Sequence, residues 1–440
     1  MRGSRESSWK GWVAPACLVA SLVAALPLML PTHVCAASEL SFLMWKPDHP
    51  EAWAKAIRMF EKRSGIKVNV TIGPHSSSAA HAMVTQKLKN RDQDPDVFLM
   101  DVIWPSEFVS AGWIEPLNAF FSPDEQADFF PGAIEACTIK GRIYGVPCWT
   151  SGGLLYYRRD LLHKYGFQPP DTWEQLVEQA ERIVNLERPH DPALKGYSGQ
   201  FKQYEGLVCN MLEFVLSNRG SFFGQHRSKS TLDDPHNVGA IRFVRDKIIG
   251  RCASRAVLTY EEPESLHVFI QGHAVFLRNW PYAWEIANNP DKSRVAGNVD
   301  ITVLPRFANG DSVSALGGWQ FALSRFSRKK KLAWEFIRFM TSSEMQKFFA
   351  LQASQTPARR SVYENPEVLR TYPHFAKLKH VFENARPRPA IPLYPLYSHI
   401  VQSFYQHCLA YPQSRVPVLA READERINRL LGIMREGGMQ

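Results

Sequence analysis

The chain has 440 residues, 45% of them hydrophobic and 22% charged, with 12 Trp among its 12% aromatics. These values describe a folded protein of two or three domains and exclude disorder. Part of the formal net charge of +9 lies at the N-terminus, Arg2, Arg5 and Lys10 against Glu6, and the remainder is spread along the chain. Its one dense run, Arg328-Lys329-Lys330-Lys331, reads as the solvated start of a helix and offers no nucleic-acid patch.

At the N-terminus, Arg2, Arg5 and Lys10 precede an apolar stretch over 12–30, and small residues follow at 34–38. That order marks residues 1–37 as a secretory signal, with cleavage expected after Ala36 or Ala37. The apolar stretch is long, so an uncleaved N-terminal anchor is the alternative. Cys35 follows His33-Val34, a poor lipid-attachment sequence. An exported chain can keep disulfides. Five cysteines follow the leader (Cys137, Cys148, Cys209, Cys252 and Cys408), and their odd number leaves at least one unpaired without fixing any pairing. Cys-x-x-Cys and His-x3-His spacings do not occur, which speaks against zinc, and no cofactor is expected.

Past the leader, residues 39–45 read as an apolar strand, followed by a Pro-containing loop with Asp48 and His49. Trp53, Ile57 and Phe60 then share one helix face, and Gly65 stops that helix. Residues 66–72 alternate as a strand, 79–90 form a helix, and 96–100 form a fully apolar strand. This succession predicts βαβ units and a mostly parallel sheet covered on both faces. Lys140-Gly141-Arg142 turns a hairpin, 154–157 is a strand, and Thr172 is placed to cap a long amphipathic helix. Further strands fall at 274–277, 300–304 and 320–323, a helix at 330–340, and two or three more helices toward the C-terminus. Residues 385–395 are proline-rich and read as a rigid extended loop carrying Arg386 and Arg388.

Gly-x-Ser-x-Gly, His-Glu-x-x-His, the phosphate-binding Walker loop and Gly-x-Gly-x-x-Gly do not occur. What recurs is an aromatic beside a polar group at a strand end or loop: Trp45, Asp101 with Trp104, Trp149, Trp280 with Tyr282, and Trp319 after Gly317-Gly318. Ligands of parallel α/β sheets bind beyond the carboxyl ends of strands. A flat ring covers the C–H face of a sugar, while carboxylates and guanidinium groups bond its hydroxyls.

Taken in order, 96–101, 144–147, 153–158, 278–284, 316–319 and 333–340 give the chain a resemblance to bacterial ABC-importer extracellular solute-binding proteins. The sugar-binding branch, trehalose/maltose-binding-protein-like, is the nearest. The resemblance implies an α/β, type II periplasmic-binding-protein-like fold of two lobes, each a mostly parallel sheet flanked by helices, with a ligand cleft between them. The lobes would be 38–147 plus 316–360 and 150–314 plus 361–438. The chain would leave the first lobe near 147–151, return near Ala315 and cross again near Arg360.

The resemblance also implies a binding function without catalysis: hinge closure on a carbohydrate, a disaccharide in the first instance. Delivery would be to an ABC permease driven by a cytoplasmic ATPase, by a monomeric protein in the periplasm or at the cell surface. Its ligand positions fall on Asp101, Trp280, Tyr282, Gly318, Trp319 and Arg388 (Arg386 the rival), with Trp149, Asp48 or His49, and His75, Ser76 and Ser77 offered by neighbouring loops. Ser151 replaces an acid that relatives often carry, and Glu205 is placed to compensate from the opposite wall. Two other readings stay open. One is a secreted carbohydrate-active enzyme using Asp101 and Glu205; the other is a binding protein for a non-sugar small molecule, for which Arg278 joins Arg386 and Arg388 as the available cations.

Overall fold

The structure, a computed structural model, describes residues 38–47, 49–74, 77–224 and 229–436. The leader, Asp48, His75 and Ser76 lie outside them, as do the expectations placed on those residues. Among the described residues no helix is long and apolar enough to cross a membrane.

Among the described residues, twelve strands form two main sheets and one short hairpin. They are β1 Glu39–Trp45, β2 Lys67–Gly73, β3 Val97–Asp101, β4 Thr138–Ile139, β5 Arg142–Ile143, β6 Val146–Gly152, β7 Leu154–Arg158, β8 Lys195–Ser198, β9 Ala274–Asn279, β10 Val299–Thr302, β11 Ser314–Leu323 and β12 Ala385–Arg386. The first sheet runs β12-β11-β3-β1-β2, with β6 also paired to β11. The second runs β10-β7-β9-β8, and β4 with β5 is the hairpin foreseen at Gly141.

The sheets are mixed where mostly parallel ones were expected. In the first, β2, β1 and β3 are parallel, as their βαβ connections require, but β11 runs antiparallel to both β3 and β6. In the second, only β8 and β9 are parallel; β7 is antiparallel to both β9 and β10. The cause is the crossing chain. β6 ends in the first sheet at Gly152, and β7 enters the second at Leu154 without an intervening helix, so neither strand arrives through a parallel crossover.

Local sequence explains most boundaries. Helix Pro50–Ser64 buries Trp53, Ile57 and Phe60 and ends at Gly65, whose φ of 72° suits a residue without Cβ. Thr172 caps helix Trp173–Glu187 in a reciprocal box with Gln175. The segment 385–395 is less irregular than its prolines suggest. Ala385 and Arg386 pair with β11, and helix Tyr394–Ala410 starts with Pro395 in its first turn, where a missing N–H costs nothing. After Met340 the described residues form five α-helices, not two or three: Ser343–Ala353, Pro366–Thr371, Phe375–Glu383, Tyr394–Ala410 and Val416–Glu436. The two short ones lack the length on which a periodic signal depends.

Candidate functional site

Register builds the first wall. Asp101 on β3 stands opposite Trp319 on β11, and Trp319 stands opposite Trp149 on β6. Directly opposed residues in antiparallel strands project on one face, so these three side chains form a row. Trp319 stacks on Trp149 at 6.2 Å and 26°, and on Trp45, the last residue of β1, at 4.7 Å and 18°. The row needs Gly318 beside it: its φ is +124°, and a Cβ there would lie 2.4 Å from the Trp149 carbonyl oxygen. Trp104 belongs to the core behind this wall, edge-on to Trp319 at 5.4 Å.

The second wall rises from the carboxyl end of β9. Asn279 is its last residue, and Trp280-Pro281-Tyr282 turn away from it, held by the Tyr156 hydroxyl, which donates to the Trp280 carbonyl at 2.8 Å. The Trp280 ring is fixed on three sides. Its Nε1 donates to Glu262 Oε1 at 3.1 Å, the Arg278 guanidinium lies 4.2 Å from its ring centre, and its edge abuts Gly317, where a Cβ would come within 3.2 Å. A desolvated cation–π contact of this kind contributes about 2 kcal/mol. Tyr282 is 48% exposed at the rim.

Arg278 is therefore no ligand for an anion. It is buried and paired with Glu213, which also accepts from the Ala315 backbone N–H at 3.0 Å. Burial raises the Glu213 carboxyl, and Arg278 pulls it the other way. Arg386 is exposed on β12 and donates to the Glu383 and Ala385 carbonyls.

Arg388 lies at the seam of the two walls. Its Nη1 donates to Glu205 Oε1 at 2.8 Å, Nη2 to the Leu316 carbonyl at 3.4 Å, and Nη2 is 3.9 Å from Asp101 Oδ1. Burial disfavours its charge, but the groups around it, Cys209, Tyr394, Glu205 and Asp101, outweigh burial and hold its pKa above the usual guanidinium value.

These walls enclose one cavity of about 510 Å³, within the range of small-molecule sites. Nine of the candidates (Asp101, Trp149, Ser151, Glu205, Trp280, Tyr282, Gly318, Trp319 and Arg388) line it, and Arg386, the rival to Arg388, does not. His49 lines it as well. Tyr204, Glu262, Trp284, Gln355 and His374, absent from the expected ligand positions, line it too. Glu262 carried a faint signal: it opens a helix with Pro263 in its first turn. His374 stacks on Trp284 at 4.5 Å, and burial pushes its imidazole down to about 4.

Four carboxylates (Asp101, Glu205, Glu262, Glu285) face the cavity against one guanidinium, that of Arg388, among the described lining residues. No group of His, Cys, Asp and Glu able to hold a metal occurs among the described residues. The five described cysteines are all free and buried; Cys209 lines the cavity, its thiol pushed up to about 12 by burial.

A two-lobed binding-protein fold with a ring-lined cleft defines a class, and the sequence defines the family. Residues 46–347 match the family described as "Bacterial extracellular solute-binding protein", and the chain belongs to it. A relative from Deinococcus radiodurans, named "Probable ABC transporter-binding protein", is 35% identical over 355 residues, 80% of this chain and 82% of that one. The structure of maltose-bound T. maritima MalE3 covers 90% of this chain and 100% of its own, with 34% identity and a TM-score of 0.77. The sugar-binding protein MalE from Xanthomonas citri shares the fold at 22% identity, TM-score 0.78, covering 92% of this chain and 100% of its own.

Proposed function

We propose that this chain is the exported substrate-binding subunit of an ABC importer and that its solute is a neutral carbohydrate, a disaccharide in the first instance. It captures the sugar outside the membrane, closes its lobes on it, and delivers it as a monomer to a permease driven by a cytoplasmic ATPase. The lobes are taken as 38–147 plus 316–360 and 150–314 plus 361–438, a division supported by the strand order, in which β1–β3 and β11 build one sheet and β7–β10 the other.

One observation carries the reading. Aromatic planes from both sheets, Trp45, Trp149 and Trp319 on one side and Trp280 and Tyr282 on the other, line the same cavity as Asp101 and Arg388. The names of two relatives, the ABC transporter-binding protein and the maltose-bound protein, support it. The surplus of carboxylates disfavours an anionic solute, because among the described lining residues no Lys or Arg other than Arg388 could pair with one. Catalysis by Asp101 and Glu205 is disfavoured as well. Both contact the same guanidinium, and Glu205 also accepts from Tyr394 and Ser398.

Titration of intrinsic Trp fluorescence with maltose, maltotriose, mannitol and a sugar phosphate tests the reading. A saturable response to a neutral sugar, with that sugar recovered uncleaved, is expected. A response to the phosphate alone would replace the carbohydrate reading, and a cleaved product would restore the enzyme one.

A further inference from the structure

Glu205 begins helix Glu205–Ser217, and its two carboxylate oxygens are occupied from three directions. Oε1 accepts from Arg388 Nη1 and from the Tyr394 hydroxyl; Oε2 accepts from the Ser398 hydroxyl. Tyr394 and Ser398 lie four residues apart on one face of helix Tyr394–Ala410, so a single helix delivers both donors. Arg388, between Pro387 and Pro389, sits on a stretch whose backbone has little freedom. Its side chain is buried, and its Nε has no hydrogen-bond partner. Arg388 and Glu205 both line the cavity.

We propose that Glu205 is a positioning residue: it holds the Arg388 guanidinium at the seam, where Arg388 lines the cavity, and it acts on the bound carbohydrate only through that guanidinium. Without Glu205, the guanidinium would be drawn to its remaining carboxylate neighbour, Asp101, now 3.9 Å away, and would mask that acceptor too. The inference rests on the carbohydrate reading of the cavity.

A double-mutant cycle with maltose as probe tests it, affinity being read from Trp fluorescence and the fold from melting of the sugar-free protein. Glu205→Gln and Arg388→Ala should each weaken binding about tenfold or more, the loss expected for a hydrogen bond to a charged group. In the Arg388→Ala background, Glu205→Gln should change affinity less than about twofold, because its route to the sugar is gone. Glu205→Ala serves as a second variant if it folds. Additive losses would overturn the inference and leave the carbohydrate reading intact. No response of the unaltered protein to maltose, maltotriose or mannitol would overturn the carbohydrate reading, and this inference with it.

Discussion

Trp280 shows how much chemistry one ring can collect. Its edge rests on Gly317, its face on a buried guanidinium, its N–H on Glu262, and what remains faces the cavity. Trp280→Ala should therefore weaken sugar binding at least tenfold. The fold should persist, because Arg278 keeps its bonds to Glu213 and Gln200. Calorimetric titration reads the affinity and circular dichroism the fold; an unchanged affinity would remove Trp280 from the site. His374 supports a prediction about pH. Its folded pKa, about 4, lies below the 6.5 of an open imidazole, because burial disfavours the charged ring; Asp300 pulls it up and Lys377 down. Below about pH 6.5 the unfolded chain takes up a proton that the fold refuses. Stability from this group is thus complete above about pH 6.5 and is lost as pH falls toward about 4, by about 3 kcal/mol in all. His374→Phe keeps a ring against Trp284 and removes the titration. Urea unfolding across that window should show a shallower pH slope for the variant, and equal slopes would reject the assignment.

At the level of elements, the crossing between sheets depends on a glycine. A Cβ at Gly153 would lie 1.9 Å from Glu213 Oε1 and 2.3 Å from Arg278 Nη2, inside the buried ion pair. Gly153→Ala should cost about 3 kcal/mol or more, since parting such a pair leaves a charge uncompensated. Gly65→Ala, where nothing lies within 4 Å, should cost only about 1 kcal/mol for its φ of +72°. Chemical denaturation of the two variants decides, and equal costs would contradict this account. The same contrast shows what was legible in the sequence. Gly65 could be read from its neighbours, because a helix C-cap is a local event. So could β1, β3 and the Thr172 cap, each set by a few adjacent residues. Gly153 could not, since its constraint comes from residues 60 and 125 positions away. The antiparallel course of β11 escaped for that reason also: its pairing with β3 joins Trp319 to Asp101 across more than 200 residues. The site divides likewise. Asp101, Trp280 and Trp319 stand at strand ends or beside glycines and announce themselves, whereas Glu262 and His374 are brought in by helices whose packing the local sequence does not encode.

For the molecule as a whole, closure requires a ligand that binds the closed arrangement better than the open one, and the excess must come from contacts made to both walls at once. Here one wall is the Trp45–Trp319–Trp149 stack with Asp101, the other is Trp280 and Tyr282, and Arg388 touches the first while held by the second. A sugar that spans them gains from both sheets. A single ring resting on one stack gains from one and leaves the gap between the lobes unfilled. Maltose and glucose should therefore differ in kind and not only in strength. At about 100 times its Kd either sugar adds about 2.7 kcal/mol of stability by mass action, and both should raise the melting temperature. Only maltose should reduce the radius of gyration measured by small-angle X-ray scattering. Trp319→Ala should abolish that compaction, because one wall alone supplies no differential contact. Compaction by glucose equal to that by maltose would show that closure does not need both walls, and the coupling of the two sheets through a shared sugar would have to be given up.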